Sequence, residues 1–485
     1  MSRSAEDAVL RPSYDRNRLK PRILHIGFGA FVRAHLLVYL DEILRKTDGD
    51  WGVCAVRLNS GAEELTELDT ADHLYTVAEV DDGGITARTV GAVVSTCHPK
   101  RDGADALFAR FEDPDLSIVS LTITEKGYCQ KDGELDPDHK GIQADLASPE
   151  APGTAVGYLV EGLRRRKESG LAGVTLLSCD NLPNNGAVCR AVVQAFAERR
   201  DPALARWIAR NVSFPSTMVD RIVPALDDEG RAVLHSVLGD EDDPNGIVCE
   251  PFRQWVIEDD FAAGRPDFEL AGAQFTDDVR PFEEMKLRML NGSHSFIAYL
   301  GALAGHQTVS ACMNDDPFRA AAFDLMMKEQ APTLSMPEDV DLDAYARALI
   351  ARFSNSRLKH RTTQIASDGS QKLPQRFLES VRHHMRSGAD WPRLALGIAG
   401  WMAYCRGRDD EGNPLPLNDP LAEKLTDIAI TTEDGTEYVR EILERSGIFP
   451  PMLSEDTGFR TRIADAYKAL RKQGARNAVA ALSSD

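Results

Sequence analysis

The sequence predicts an α/β fold, with a doubly wound N-terminal domain over residues 1–280 and a mostly α-helical C-terminal domain over residues 281–485. Three observations predict it. Short β-branched runs alternate with helical stretches through the first half, as strand-helix-strand units require. A glycine-punctuated turn follows the first of these runs. From about residue 280 the pattern changes to helices, with Ala-, Leu- and Met-rich runs at 318–350 and 390–407. At 485 residues the chain is too long for one ordinary core and long enough for two substantial ones.

The candidate strands are Ile23 to Ile26, Gly52 to Val56, Leu74 to Val80, Leu116 to Thr122 and Val174 to Ser178. After the first comes Gly27-Phe28-Gly29-Ala30-Phe31-Val32-Arg33, entering an amphipathic helix. Gly27 and Gly29 match the first two positions of a dinucleotide-binding, Rossmann-like fingerprint, where the backbone turns tightly and approaches a pyrophosphate at a helix N-terminus. Val32 stands where the third glycine belongs. The run from Trp51 to Leu58 suits a second parallel strand. Its end reads Arg57-Leu58-Asn59-Ser60, without the acid that commonly holds an adenosine ribose, and the nearest acids are Glu63 and Glu64. NAD and NADP therefore both stay open, and Arg57 suits a 2′-phosphate. Polar clusters at 120–128, 178–186 and 217–224 lie at or beyond apolar runs, where open α/β sheets bind ligands. The stretches at 239–247 and 408–419 read as loops.

The chemistry concentrates at 282–305, FEEMKLRMLNGSHSFIAYLGALAG. Lys286, Asn291 and His294 place an amine, an amide and an imidazole within about two and a half α-helical turns. At roughly 100° per residue, Asn291 falls about 140° and His294 about 80° round from Lys286, so one half of the helix carries all three. The neighbouring Leu287, Leu290, Phe296, Ile297, Leu300 and Leu303 would bury such a helix, and burial tunes a lysine toward general acid/base work. An ordinary buried helix with a snorkelling lysine satisfies the same spacing.

Composition excludes other classes. A formal net charge of -20 disfavours nucleic acid and anionic membranes as partners. No apolar run reaches 18 residues and no signal-peptide core opens the chain. The eight cysteines lack CxxC pairing, which suits a reducing cytoplasm and no zinc site. The adjacent His383 and His384 read as surface residues of a polar helix, so no metal ligand is assigned.

The segments GFGAFVRAH (27–35), TITEKGY (122–128), SCDNLPNNG (178–186), TMVDRIVP (217–224), EPFRQWVIEDDF (250–261) and MKLRMLNGSH (285–294) together resemble the mannitol dehydrogenase family, the zinc-independent polyol-specific long-chain dehydrogenases, over nearly the whole chain. The resemblance implies Lys286 as general acid/base, Asn291 and Asn181 as donors to the substrate oxygen, and His294 as the group orienting the substrate hydroxyls. It implies Gly27, Gly29, Ala30, Phe31 and Arg33 at the cofactor, with NAD expected and NADP not excluded. Glu283 resembles a proton-relay position, and Asp220 falls on a supporting motif. The stretches 326–337 and 360–376 look most like the fructuronate-reducing branch, which implies reversible reduction of D-fructuronate to D-mannonate. Mannitol or arabinitol oxidation is the alternative substrate class, and a nucleotide-sensing or scaffold protein that lost catalysis is the rival from outside enzymology. Gln364 stands where polyol-oxidising relatives are expected to carry arginine. A sugar-acid carboxylate needs a cation, for which Arg221, Arg361, Lys372 and Arg376 are available. Arg361, three residues before Gln364 and so on one helical face with it, is the expected choice, with Lys372 in support. A small sugar acid or polyol is the expected partner, and the chain is expected to be a monomer or small homo-oligomer.

Overall fold

The computed structural model describes residues 9–239 and 242–482, and the chain divides into two compact units, residues 1–280 and 281–485. The first is built on a five-stranded sheet of β1 (Lys20–Ile26), β2 (Trp51–Val56), β3 (Val93–Cys97), β4 (Ile118–Leu121) and β5 (Thr175–Ser178), in spatial order β5-β4-β1-β2-β3. All four pairings are parallel. Because successive side chains point to opposite faces, Leu24, Ile26, Val56, Val119 and Leu121 enter one apolar layer while Ile23, Val53, Ala55 and Ile118 enter the other. Burial on both faces is why these strands read as continuous apolar runs.

His25 interrupts the apolar run of β1 and is fully buried. It pairs in register with Ser120 of β4, whose Oγ lies 2.8 Å from Nδ1, and Thr122 Oγ1 lies 3.0 Å from Nε2. Burial lowers its pKa to about 3, so the ring is neutral.

Two expectations are corrected in this unit. The strand expected at 74–80 forms, as Tyr75–Asp81, but it does not join the parallel sheet. It folds back antiparallel onto Gly84–Val90 through the two residues Asp82 and Gly83, the strong hairpin signal of an Asp-Gly turn. The parallel sheet instead takes Val93–Cys97, a strand that was not anticipated. Within 239–247 the segment before Ile247 is irregular where described, and Ile247–Cys249 is a strand against Tyr75–Asp81; residues 240 and 241 lie outside the described residues.

The second unit is helical. Ser293–Leu303 and Pro392–Tyr404 are buried on nearly every side and pack against each other at glycine: a Cβ on Gly400 would meet Leu300 Cδ2 at 2.8 Å. Glu329 caps the second of these helices, accepting from the N–H groups of Arg393 (2.9 Å) and Leu394 (2.8 Å). His384 departs from its expected surface position. Ser380, Val381 and His384 form the inner face of Glu379–Ser387, and His384 Nε2 lies 2.6 Å from the Glu329 carbonyl oxygen. Among the described residues no helix is long and apolar enough to cross a membrane, and no group of three or more His, Cys, Asp or Glu is placed to hold a metal.

Candidate active site

In the first unit the strand order turns at β1, with β2 and β3 on one side and β4 and β5 on the other. Ligands of open α/β sheets bind beyond the strand ends at such a switch point. A cleft of about 550 Å³ lies there, lined by Gly27, Phe28 and Gly29 after β1, Arg57, Asn59 and Ser60 after β2, and Thr122 and Thr124 after β4. Gly27 has φ +99°, and a Cβ there would meet the Thr122 carbonyl oxygen at 2.1 Å. Only glycine fits. Gly29 is different: its backbone is extended, and a Cβ would meet nothing nearer than Gly27 O at 3.6 Å. The protein itself does not need glycine at 29, whereas a ligand close to the backbone would.

Ala30, Phe31 and Arg33 lie on α1 (Ala30–Ala34), a helix of five residues that breaks at His35 before α2 (Leu36–Lys46). This break explains Val32. The third fingerprint glycine ordinarily lets a long helix lie close to its strand, but here the helix ends at once and Val32 packs into the core. Phe31 stacks on His35, and Arg33 donates to the carbonyls of Gly29 and Asn245, the latter at 2.7 Å. Arg57 is tied by an ion pair to Glu64 at 3.1 Å.

The loops after β4 and β5 are fastened to each other by a buried network that the sequence reading missed. The Asp180 carboxylate accepts from the N–H groups of Ile123 (3.1 Å) and Thr124 (2.8 Å) and from the Tyr128 hydroxyl (2.7 Å), which also lies 2.6 Å from Ser178 Oγ. Burial raises the Asp180 pKa while these bonds oppose the rise. Thr124, with φ +63°, is a β-branched residue in the left-handed region, a conformation that needs such fastening. Asn185 completes the loop by donating to the carbonyls of Asp180 and Thr217. Asn181 projects from this loop with its side chain exposed. Asp220 is buried at the end of Thr217–Asp220, and the adjacent Arg221 is committed internally, to Glu79 and to the carbonyls of Ala34 and Glu250. That commitment removes Arg221 as a receptor for a substrate carboxylate.

In the second unit the candidate catalytic segment is not the α-helix expected from its spacing. Residues Lys286–Gly292 wind as a π-helix between Arg280–Met285 and Ser293–Leu303. With bonds from i to i+5, each turn holds more residues, so Lys286 and Asn291, five apart, come close to one flank instead of standing about 140° apart. Such turns are uncommon and recur at functional sites. The winding leaves carbonyls to be satisfied by side chains. Ser293 Oγ donates to the carbonyls of Met289 and Leu290, and Arg376 Nη1 donates to the Asn291 carbonyl at 3.2 Å and to Ser295 Oγ at 2.8 Å. Gly292 makes the packing possible, since a Cβ there would meet Gln330 Nε2 at 2.3 Å.

His294 stacks on Phe353, ring centroids 5.1 Å apart, and its Nε2 is buried without a hydrogen-bond partner among the described residues. Burial, then the charges of His360, Arg376, Arg352 and Lys372, hold its pKa well below the usual imidazole value. Gln330, with both polar amide atoms, and the Tyr299 hydroxyl are likewise buried without partners. Glu283 is half-buried in the helix leading into the π-turn. Lys372 donates to the carbonyls of Ser367 (2.6 Å) and Ile365 (3.4 Å), and burial, then Arg376, lowers its pKa.

Arg361 requires a correction. It is the N-cap of the four-residue helix Thr362–Ile365, in extended conformation, so it does not share a helical face with Gln364. Its exposed side chain lines a separate cleft with Lys359, Asp409 and Glu411.

Comparison with known proteins decides the family. Residues 21–270 match the Mannitol dehydrogenase Rossmann domain and residues 278–471 the Mannitol dehydrogenase C-terminal domain. The chain belongs to the mannitol dehydrogenase family of oxidoreductases. It is 50% identical to the D-mannonate oxidoreductase of Escherichia coli (strain K12), with 98% of each chain covered. Among solved structures it is similar to a substrate-free D-sorbitol dehydrogenase, at TM-score 0.91 and 35% identity over 97% of each chain. It is also similar to a Pseudomonas fluorescens mannitol 2-dehydrogenase, at TM-score 0.83 and 36% identity over 99% of this chain and 97% of that one. The latter was solved as a ternary complex with NAD and D-mannitol. The α/β architecture with a Rossmann-type first unit and a helical second unit is that of the family.

Proposed function

We propose that this protein is a zinc-independent, nicotinamide-dependent oxidoreductase that reversibly reduces D-fructuronate to D-mannonate. The observation that supports the reading is the π-turn Lys286–Gly292, whose winding brings positions five apart, such as 286 and 291, toward one flank, with His294 Nε2 buried without a partner among the described residues. The 50% identity with a D-mannonate oxidoreductase supports the substrate, against 36% with the mannitol enzyme.

When bound, the nicotinamide gives hydride to the keto carbon or takes it back. The first unit suits that cofactor, because Gly27 clears the strand end and the space before Gly29 is left open by the protein. Gly29, Ala30, Phe31 and Arg33 would border the pyrophosphate. NAD is favoured over NADP in this reading, because Glu64 engages the Arg57 guanidinium that a 2′-phosphate would need.

In reduction Lys286 delivers a proton to the substrate oxygen, and in oxidation it removes one. Asn291 and Asn181 donate hydrogen bonds to the oxygen as negative charge develops, and as amides they do so without titrating. His294, held neutral, has Nε2 available to a substrate hydroxyl. Glu283 serves as the relay that reprotonates the lysine, and Asp220 supports its strand end. Eight buried free thiols fit a cytoplasmic enzyme.

Oxidation of a hexitol or pentitol is the second reading, favoured by the similarity to sorbitol and mannitol dehydrogenases. A panel of D-fructuronate, tagaturonate, fructose, mannitol and arabinitol against both nicotinamide cofactors tests the proposal. The highest kcat/KM is expected for D-fructuronate with NADH. Efficient mannitol oxidation without fructuronate reduction would promote the second reading.

A further inference from the structure

Arg376 is largely buried, and no acidic side chain lies within ion-pair distance of it among the described residues; its pKa is lowered by burial, offset only by the nearby Tyr299. Three other enclosed arginines of the chain have acids or several carbonyls to bond. Arg393 pairs with Asp324 and Glu329, Arg221 with Glu79, and Arg166 spreads its three nitrogens over the carbonyls of Ala172, Phe111, Asp113 and Leu116. Arg376 spends Nη1 alone, on the Asn291 carbonyl and Ser295 Oγ. Its Nε and Nη2 have no partner among the described residues, and neither is among the buried unpartnered atoms, so both keep access to solvent.

In a guanidinium, Nε–H and Nη2–H form the edge that meets a carboxylate with two parallel hydrogen bonds. That edge is the free one. A partly desolvated guanidinium without a counter-anion is destabilised, and an anionic ligand offsets this where a neutral polyol does not. The surroundings agree. Lys372 stands one helical turn away, the Tyr299 hydroxyl is unpartnered, and Arg376 is bonded to the backbone of Asn291 itself.

We infer that Arg376 anchors the carboxylate of a sugar-acid substrate through its Nε and Nη2 edge, while its Nη1 fixes the π-turn that carries Asn291. This rests on the sugar-acid reading above and names the residue that discriminates the acid from the neutral sugar.

The test compares kcat/KM for D-fructuronate and for the uncharged D-fructose in the wild type, Arg376→Gln and Arg376→Lys. Loss of the π-turn contact lowers both rates, so the preference between substrates is the readout. Arg376→Gln is expected to reduce the fructuronate preference by about 100-fold. Arg376→Lys, which keeps the charge and loses the fork, is expected to reduce it by about 10-fold. An unchanged preference in both variants, whatever their absolute rates, overturns the anchor and leaves the function reading standing. A wild type that reduces fructose and not fructuronate sinks the function reading first, and the anchor with it. A second measurement needs no variant: butanedione modification of Arg376 in the wild-type protein, followed by mass spectrometry, is slowed by D-mannonate and not by D-mannitol. Equal modification with and without mannonate also overturns the anchor.

Discussion

Asp180 in the first unit and Arg376 in the second are both charged side chains largely withdrawn from water, yet their surroundings differ. Asp180 accepts from two backbone N–H groups and the Tyr128 hydroxyl, and its neighbour Asn185 is saturated. Arg376 uses one of its three nitrogens, and around it His294 Nε2, Tyr299 Oη and the Gln330 amide have no partners among the described residues. Buried polar groups are ordinarily paired, so a saturated network reads as scaffold and a cluster of orphans reads as a place where a ligand or water completes the bonding. The first unit holds its loops by internal bonds. The groups around Arg376 leave donors and acceptors for something else.

The largest expected effect tests whether the second unit holds the chemistry. Lys286→Ala should cut kcat by about 10²- to 10⁴-fold or more while NADH binding, followed by fluorescence titration, stays near wild type. A folded variant with near-normal turnover would remove the lysine from the mechanism.

Next comes stability. Asp180→Ala leaves a hydroxyl and two N–H groups without their acceptor, and should cost about 3 kcal/mol in urea unfolding. Gln330→Leu, which replaces an amide that has no partners among the described residues, should cost less than about 1 kcal/mol or stabilise. Similar losses in the two variants would erase the distinction between scaffold and site.

The first unit also carries a pH dependence. His25 and His35 are fully buried, and burial lowers each pKa from 6.5 to about 3. Between those values the unfolded chain binds protons that the folded chain does not, so stability is complete above 6.5 and falls as pH drops toward 3. Each ring contributes a slope of about 1.4 kcal/mol per pH unit. His25→Gln should make the unfolding midpoint less sensitive between pH 6 and 4, and an unaltered slope would show that His25 is not the group responsible.

Smaller effects belong to the surface. Glu64→Gln frees Arg57, and because a partly exposed ion pair contributes at most about 1 kcal/mol, NADPH use should rise no more than about fivefold. No change in the NADPH to NADH ratio would show that Arg57 does not face the ribose. Arg361→Met should alter fructuronate kcat/KM by less than about threefold, since the side chain is exposed and lines a different cleft. A loss approaching that of Arg376→Gln would restore Arg361 as the carboxylate receptor.

Much of the fold was legible from the chain because it rests on local rules. The runs that became β1, β2, β4 and β5 are apolar on both faces, and Gly27 follows β1 at the point where any Cβ would strike the Thr122 carbonyl. The hairpin at Asp82-Gly83 is equally local, its turn chemistry setting an antiparallel return that alternation with helices does not show. The residue types of the candidate site were legible too, since Lys286, Asn291 and His294 stand within nine positions of one another.

The sequence by itself therefore determined four of the five strands of the parallel sheet, the glycine turn after β1 and the residue types of the candidate site, all set by neighbours a few residues away. Only the tertiary structure decided how those groups are presented. The π-winding of Lys286–Gly292 depends on Gly292 seated against Gln330 and on Arg376 bonded to the Asn291 carbonyl, partners 38 and 85 residues distant. Likewise Tyr128 and Asp180 meet across 52 residues, and Arg361 and Arg376, both candidates in the chain, part company once one is exposed and the other is half-buried without an acid among the described residues. Helical periodicity and propensity act through near neighbours, whereas a carbonyl released by a wider turn is satisfied by whichever distant donor the packing brings to it.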